Sequence, residues 1–139
     1  MRADLPVVAV DPGRDKCGVA VVSPDGAILH HTIVPTAMVG ETVDVLANDH
    51  HARRILVGAG TTSRGAIDAI SVFRPRNDIL TVEEANSTLE ARALYWQDNP
   101  PGCLQMLIPA GLRTPPRPVD DYAAAVIARR FLAQRSEDR

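Results

Sequence analysis

The sequence predicts an α/β fold in which a mixed sheet is covered by helices, and two features of the chain carry that expectation. Residues 7–34 read as three short apolar, β-branched runs joined by tight turns, which is the pattern of consecutive hairpins. Beyond them, helical and strand patterns alternate, giving the order βββαβαβαα and with it parallel strands added to an antiparallel start.

Each element has its own local signal. VVAV at 7–10 is a buried-strand run that delivers Asp11 into a Pro12-Gly13 turn. GVAVV at 18–22 returns as the second strand, so the hairpin has its tight end at Asp11. Pro24-Asp25-Gly26 marks the next turn, and residues 28–34 read as the third strand. Between 38 and 48, Val39, Val43, Leu46 and Ala47 recur at helical spacing. Ile55-Leu56-Val57 is a short buried strand ending in Gly58-Ala59-Gly60. Residues 61–73 place Ala66, Ile67, Ile70 and Phe73 on one helical face. A fifth strand over 79–82 ends on Glu83-Glu84. Ser87-Thr88-Leu89-Glu90 is a capping box that opens a helix to about residue 96. Residues 98–118 hold six of the eleven prolines and no helical period, a loop long enough to expect a functional or mobile element. The last helix begins at Asp120-Asp121, with Ala124, Ile127 and Phe131 on one face.

The length of 139 residues fits a single domain spanning 1–139. A net charge of −2 supplies no global attraction to nucleic acid or to a membrane surface, although a basic face can still be local. Lys16 is the one lysine among 15 basic residues, a skew toward the bidentate phosphate-binding side chain that a GC-rich genome would also produce. Cys17 and Cys103 form neither a disulfide framework nor a metal motif, and Cys17 reads as a small core residue. The start lacks a secretory signal, and no run approaches 18 apolar residues. No membrane partner is expected, and a cytoplasmic protein is.

Three acidic positions stand where the ligand crevice of an open α/β sheet lies. Asp11 ends the first strand, Glu84 ends the fifth, and Asp120-Asp121 open the last helix. A carboxylate at the end of an apolar strand costs free energy unless it is compensated. Three or four carboxylates together would bind a hard divalent cation, and two such ions could stabilise both oxygens of a phosphodiester displacement. Each residue also has a plainer reading. Asp11 can simply start an Asp-Pro-Gly turn, Asp120 or Asp121 can cap a helix, and Glu83-Glu84 can be a solvated pair.

The same segments resemble a known family. VVAVDPGRDKCGVAVV at 7–22, EEANSTLEAR at 83–92 and VDDYAAAVIARRFL at 119–132 are similar to the three motifs of the YqgF/RuvX family. These are ribonuclease H-like proteins described as Holliday-junction-resolvase-like and as pre-16S rRNA processing nucleases. The resemblance covers nearly the whole chain in order. It implies a five-stranded ribonuclease H-like mixed sheet, with the first three strands antiparallel and helices on its flanks. It also implies Mg²⁺ or Mn²⁺ held by Asp11, Glu84 and Asp120, with Asp121 close enough to compete as a catalytic carboxylate. Two departures mark a divergent branch: Ala85 stands where the family often has Arg, and VGAGTTSRG at 57–65 replaces a Gly-Leu-Pro segment.

The expected activity is metal-dependent endonuclease cleavage of structured nucleic acid, either branched DNA or precursor 16S rRNA. Lys16, Arg64, Arg113 and Arg117 are the candidate phosphate contacts, the last two because they lie in the proline-rich loop just before Asp120. Ser63 and Thr61-Thr62 read equally well as helix caps. Tyr95-Trp96 read as core or rim, and His30-His31 and His50-His51 as surface residues. A junction resolvase needs two active sites, so a homodimer goes with DNA and a monomer with RNA. The alternative is a non-catalytic nucleic-acid or ribosome-associated binding module. A fragment of an actin-like kinase is a poorer fit, because that architecture needs two such domains.

Overall fold

The computed structural model describes residues 5–83, 87–109 and 115–137. Strands β1 (Val7–Asp11), β2 (Lys16–Val22) and β3 (Ile28–Pro35) form an antiparallel meander. Helix α1 (Val39–Asp49) leads to β4 (Ile55–Gly58), and helix α2 (Ser63–Ser71) leads to β5 (Ile79–Val82). Both β4 and β5 join parallel to β1, giving one five-stranded sheet in the order β3-β2-β1-β4-β5. Helices α3 (Ser87–Asp98), α4 (Cys103–Met106) and α5 (Asp120–Glu137) complete the chain.

The sheet is the mixed one expected, with small differences at element ends. β2 starts at Lys16 rather than Gly18, because Lys16 and Cys17 pair with Pro35 and Val34 of a longer β3. The 98–118 stretch contains one short helical turn, α4, following Pro100-Pro101. Helix α2 ends at Ser71, so Phe73 falls beyond it and is 46% exposed, whereas Ala66, Ile67 and Ile70 are buried as expected.

Alternation along the strands sorts the core into two layers. Val8, Val10, Val19, Val21, Ile55 and Val57 face α1 and α2. Val7, Ala9, Ala20, Val22 and Leu56 face α3 and α5. The second face is built from small residues at its centre, and the helix that lies on it carries Ala123, Ala124, Ala125 and Ala128. Small against small lets helix and sheet approach closely. Residues 121–128 of α5 are buried on every side, because α3 covers the face that the sheet does not.

Gly18 is the closest point of that approach. A Cβ there would lie 1.9 Å from the Asp120 carbonyl oxygen and 2.6 Å from the Asp121 nitrogen, both backbone atoms with nowhere to go. Gly18→Ala should therefore lift the start of α5 and cost about 3 kcal/mol, the upper end of ordinary overpacking. Gly65 is the control: it sits inside α2 with nothing within 4 Å of its added Cβ. Gly65→Ala should gain about 0.5–1 kcal/mol from helix propensity. Urea denaturation of the two variants checks both signs.

Candidate active site

The candidate site forms where β1 ends and α5 begins. Register pairs Asp11 of β1 with Gly18 of β2. By alternation Asp11 shares the face of Val7 and Ala9, the face that α5 covers. Gly18 on that face is also the residue that the backbone of Asp120 touches. The Asp120 backbone thus packs against Gly18, the register partner of Asp11, and both aspartates are half-buried.

The turn after Asp11 is tethered from two directions. The Thr62 hydroxyl donates to the Pro12 carbonyl at 3.1 Å, and the Thr36 hydroxyl donates to the Gly13 carbonyl at 3.0 Å. A Cβ at Gly13 would lie 2.1 Å from the Lys16 carbonyl oxygen, so the turn closes this tightly only with glycine there. Thr62 and Ser63 make no helix-capping hydrogen bond, contrary to the cap reading. The hydroxyl of Thr62 instead ties α2 to the Asp11 turn, and Ser63 donates to the Gly60 carbonyl. Lys16 and Arg64 are exposed on elements that flank this turn.

The parallel strands end together. Val10 pairs with Val57 and Gly58 with Val82, and the Ala59 N–H continues the ladder to the Val82 carbonyl at 2.7 Å. Glu83 follows directly and is exposed. Glu84 and Arg113 lie outside the described residues.

Asp120 and Asp121 prove unequal, although the sequence offers no way to rank them. Asp121 is only 3% exposed and its carboxylate is fully engaged. Arg117 grips it with both terminal nitrogens, at 3.1 and 3.3 Å, and His31 Nδ1 donates to it at 2.7 Å. The Tyr122 N–H adds a fourth contact at 3.0 Å. The Arg117 guanidinium lies 5.4 Å from the ring centres of both Tyr95 and Tyr122. Tyr122 in turn donates its hydroxyl to Asp98 at 2.7 Å. Arg117, expected as a phosphate contact, has its fork in this network while its side chain stays 39% exposed. His31, expected at the surface, is a working part of it. Its register partner is Ala20, so it stands on the α5 face, and the run of small residues Gly18 and Ala20 opposite was the available signal. Tyr95 is buried and Trp96 packs at the edge of the same core, as expected.

Among the described residues, no three His, Cys, Asp or Glu side chains gather to hold a metal ion. The donor chemistry nevertheless suits a hard cation. Mg²⁺ is usually held by one or two carboxylates together with water and substrate phosphates, and carboxylates are what Asp11 and Asp120 carry. Among the described residues, no helix is long and apolar enough to cross a membrane.

No protein-family model matches the sequence, and no curated protein matches it. Solved structures do match. The T. thermophilus RuvC in complex with a Holliday junction substrate superposes with a TM-score of 0.62 at 18% identity, covering 95% of this chain and 96% of that one. The Thermus thermophilus RuvC structure gives 0.61 at 18% identity, covering 95% and 97%. The chain therefore has the ribonuclease H-like α/β fold of these RuvC structures.

The Asp121 network predicts an acid-sensitive contribution to stability. Burial pushes the Asp121 carboxyl up, but the hydrogen bonds from Arg117 and His31 outweigh it and hold its pKa below the ordinary 3.8. A depressed folded pKa means stability that is present above the unfolded value and lost as pH falls through the folded one. Asp121→Asn should therefore be less stable than the native chain at pH 7, with the gap narrowing as pH drops below about 4. Urea midpoints measured from pH 7 down to about 3 test this, and a constant gap contradicts it.

Proposed function

We propose that this chain is a divalent-metal-dependent endonuclease that cleaves structured nucleic acid, with a branched DNA junction as its substrate. The observation that carries the reading is that Asp11 ends β1 opposite Gly18, the glycine against which the backbone of Asp120 packs. The likeness to a RuvC structure holding a Holliday junction supports the choice of branched DNA. The YqgF/RuvX resemblance of the three motifs supports the same chemistry and keeps precursor rRNA as the second substrate to test.

In this reading Asp11, Asp120 and Glu84 would hold Mg²⁺ or Mn²⁺ through carboxylate oxygens. Bound there, the cations supply Lewis-acid stabilisation of the phosphodiester and lower the pKa of water for attack. The chain's own contribution is positional. Thr62 and Thr36 fix the turn that follows Asp11, and the Gly18 contact fixes the start of α5. A pure binding module has no use for paired carboxylates beside phosphates, which repel them. Lys16 and Arg64, exposed on the flanking elements, would offset that repulsion by contacting phosphates on either side of the cut. Arg113 is a third basic contact in this reading. A homodimer, placing two such sites on one junction, goes with it.

Three measurements test the assignment. Mn²⁺ at a hundredfold its Kd should stabilise the native chain by about 2.7 kcal/mol, and Asp11→Asn or Asp120→Asn should lose that gain. Both variants should cut a four-way DNA junction only at background while remaining folded, because removing one like charge relieves repulsion in the metal-free site. Full activity in Asp11→Asn would leave the non-catalytic binding module as the better reading. Removing Lys16 and Arg64 together should lower the salt dependence of DNA binding by about one to two units of log–log slope, with Mn²⁺ affinity unchanged.

A further inference from the structure

Two adjacent aspartates open α5, and a helix turns about 100° per residue, so both cannot face the same partner. The Asp121 carboxylate is held by groups from two other segments as well as by the Tyr122 N–H of its own helix. His31 comes from β3, Arg117 from the segment before α5, and the Arg117 guanidinium rests on Tyr95 of α3 and Tyr122 of α5. His31 packs its ring 4.9 Å from that of Tyr122, which is anchored to Asp98. Gly18 then stops the helix from moving toward the sheet. Together these contacts define both the height of the helix start above the sheet and its rotation about its own axis.

We infer that His31 and Arg117, acting through Asp121, are positioning residues that set the rotation of α5 and so decide that Asp120, not Asp121, meets Asp11. This rests on the proposed role of Asp120 as a cation ligand. The clamp turns one aspartate into a structural anchor so that its neighbour is left for the site. Without it, the helix start could rotate by a fraction of a residue step, and the two carboxylates would share the crevice in a mixture of arrangements. The expected consequence is a cost in cation affinity that does not extend to the chemical step once the site is filled.

The test is calorimetric titration of Mn²⁺ into the full chain and its variants, with junction cleavage measured over a range of Mn²⁺ concentrations. His31→Ala should weaken Mn²⁺ binding about tenfold, the low end of what supporting residues of metal sites contribute. Its cleavage rate should return to the native value at saturating Mn²⁺. His31→Gln retains a donor for Asp121 and should restore native affinity. Arg117→Ala should weaken Mn²⁺ in the same direction and serves as the test if His31→Ala does not fold. A lowered melting temperature with native Mn²⁺ affinity in these variants would make the clamp merely structural and overturn the inference. Asp120→Asn separates the two readings: retained Mn²⁺ affinity in that variant refutes the cation role of Asp120 itself, whatever His31→Ala does.

Discussion

The contact of the α5 N-terminus with Gly18 is the constraint on which the site depends. Helix and sheet come this close only because β2 presents a hydrogen where any other residue has a Cβ. The neighbouring positions continue the theme, with Ala9 and Ala20 beneath and a run of alanines above. A helix seated on larger side chains would stand farther off, since packed helices normally keep their axes 8–10 Å from a partner of ordinary bulk. Here the approach carries Asp120 down to the level of Asp11.

Such an approach brings charge into the interior, and the fold has to compensate for it. Asp121 is the one buried charged residue among those described, and a lone buried carboxylate would cost several kcal/mol. Arg117, His31 and the Tyr122 N–H satisfy its oxygens, while stacking on two tyrosines keeps the arginine fork in place. Compensation of this kind is geometrically demanding, because each partner comes from a different element. That demand is what makes the network able to orient the helix as well as to stabilise it. By contrast, the surface pair Arg76–Asp68 joins two solvated side chains and adds little.

The turn after Asp11 shows the same economy on a smaller scale. Its backbone carbonyls are bound by hydroxyls from β3's end and α2's start, so a segment with little side-chain bulk is held by its neighbours. Thr62, which a local reading offers as a helix cap, is used for tertiary tethering instead. The site is consequently framed by strand ends and helix starts, elements whose positions the core already dictates.

The strands, the helices other than the short α4, and their order were legible in the amino-acid sequence because they rest on local signals: β-branched runs, the Pro-Asp-Gly turn and helical spacing of Val39, Val43, Leu46 and Ala47. The placement of Asp11 at a strand end and of Asp120 at a helix start followed from the same signals. Whether Asp120 or Asp121 belongs to the site could not, since adjacent residues differ only by a rotation that local pattern leaves undetermined. What separates the two in the structure is a network from β3, α3 and the segment before α5 that engages the Asp121 carboxylate. The roles of His31 and Thr62 were hidden for the same reason, because a hydrogen bond between residues 90 or 50 positions apart depends on sheet register and helix height. Sequence alone determined which elements exist, through interactions within a few residues. Only the tertiary structure decided which side chains those elements bring together, through close packing across the α5 face.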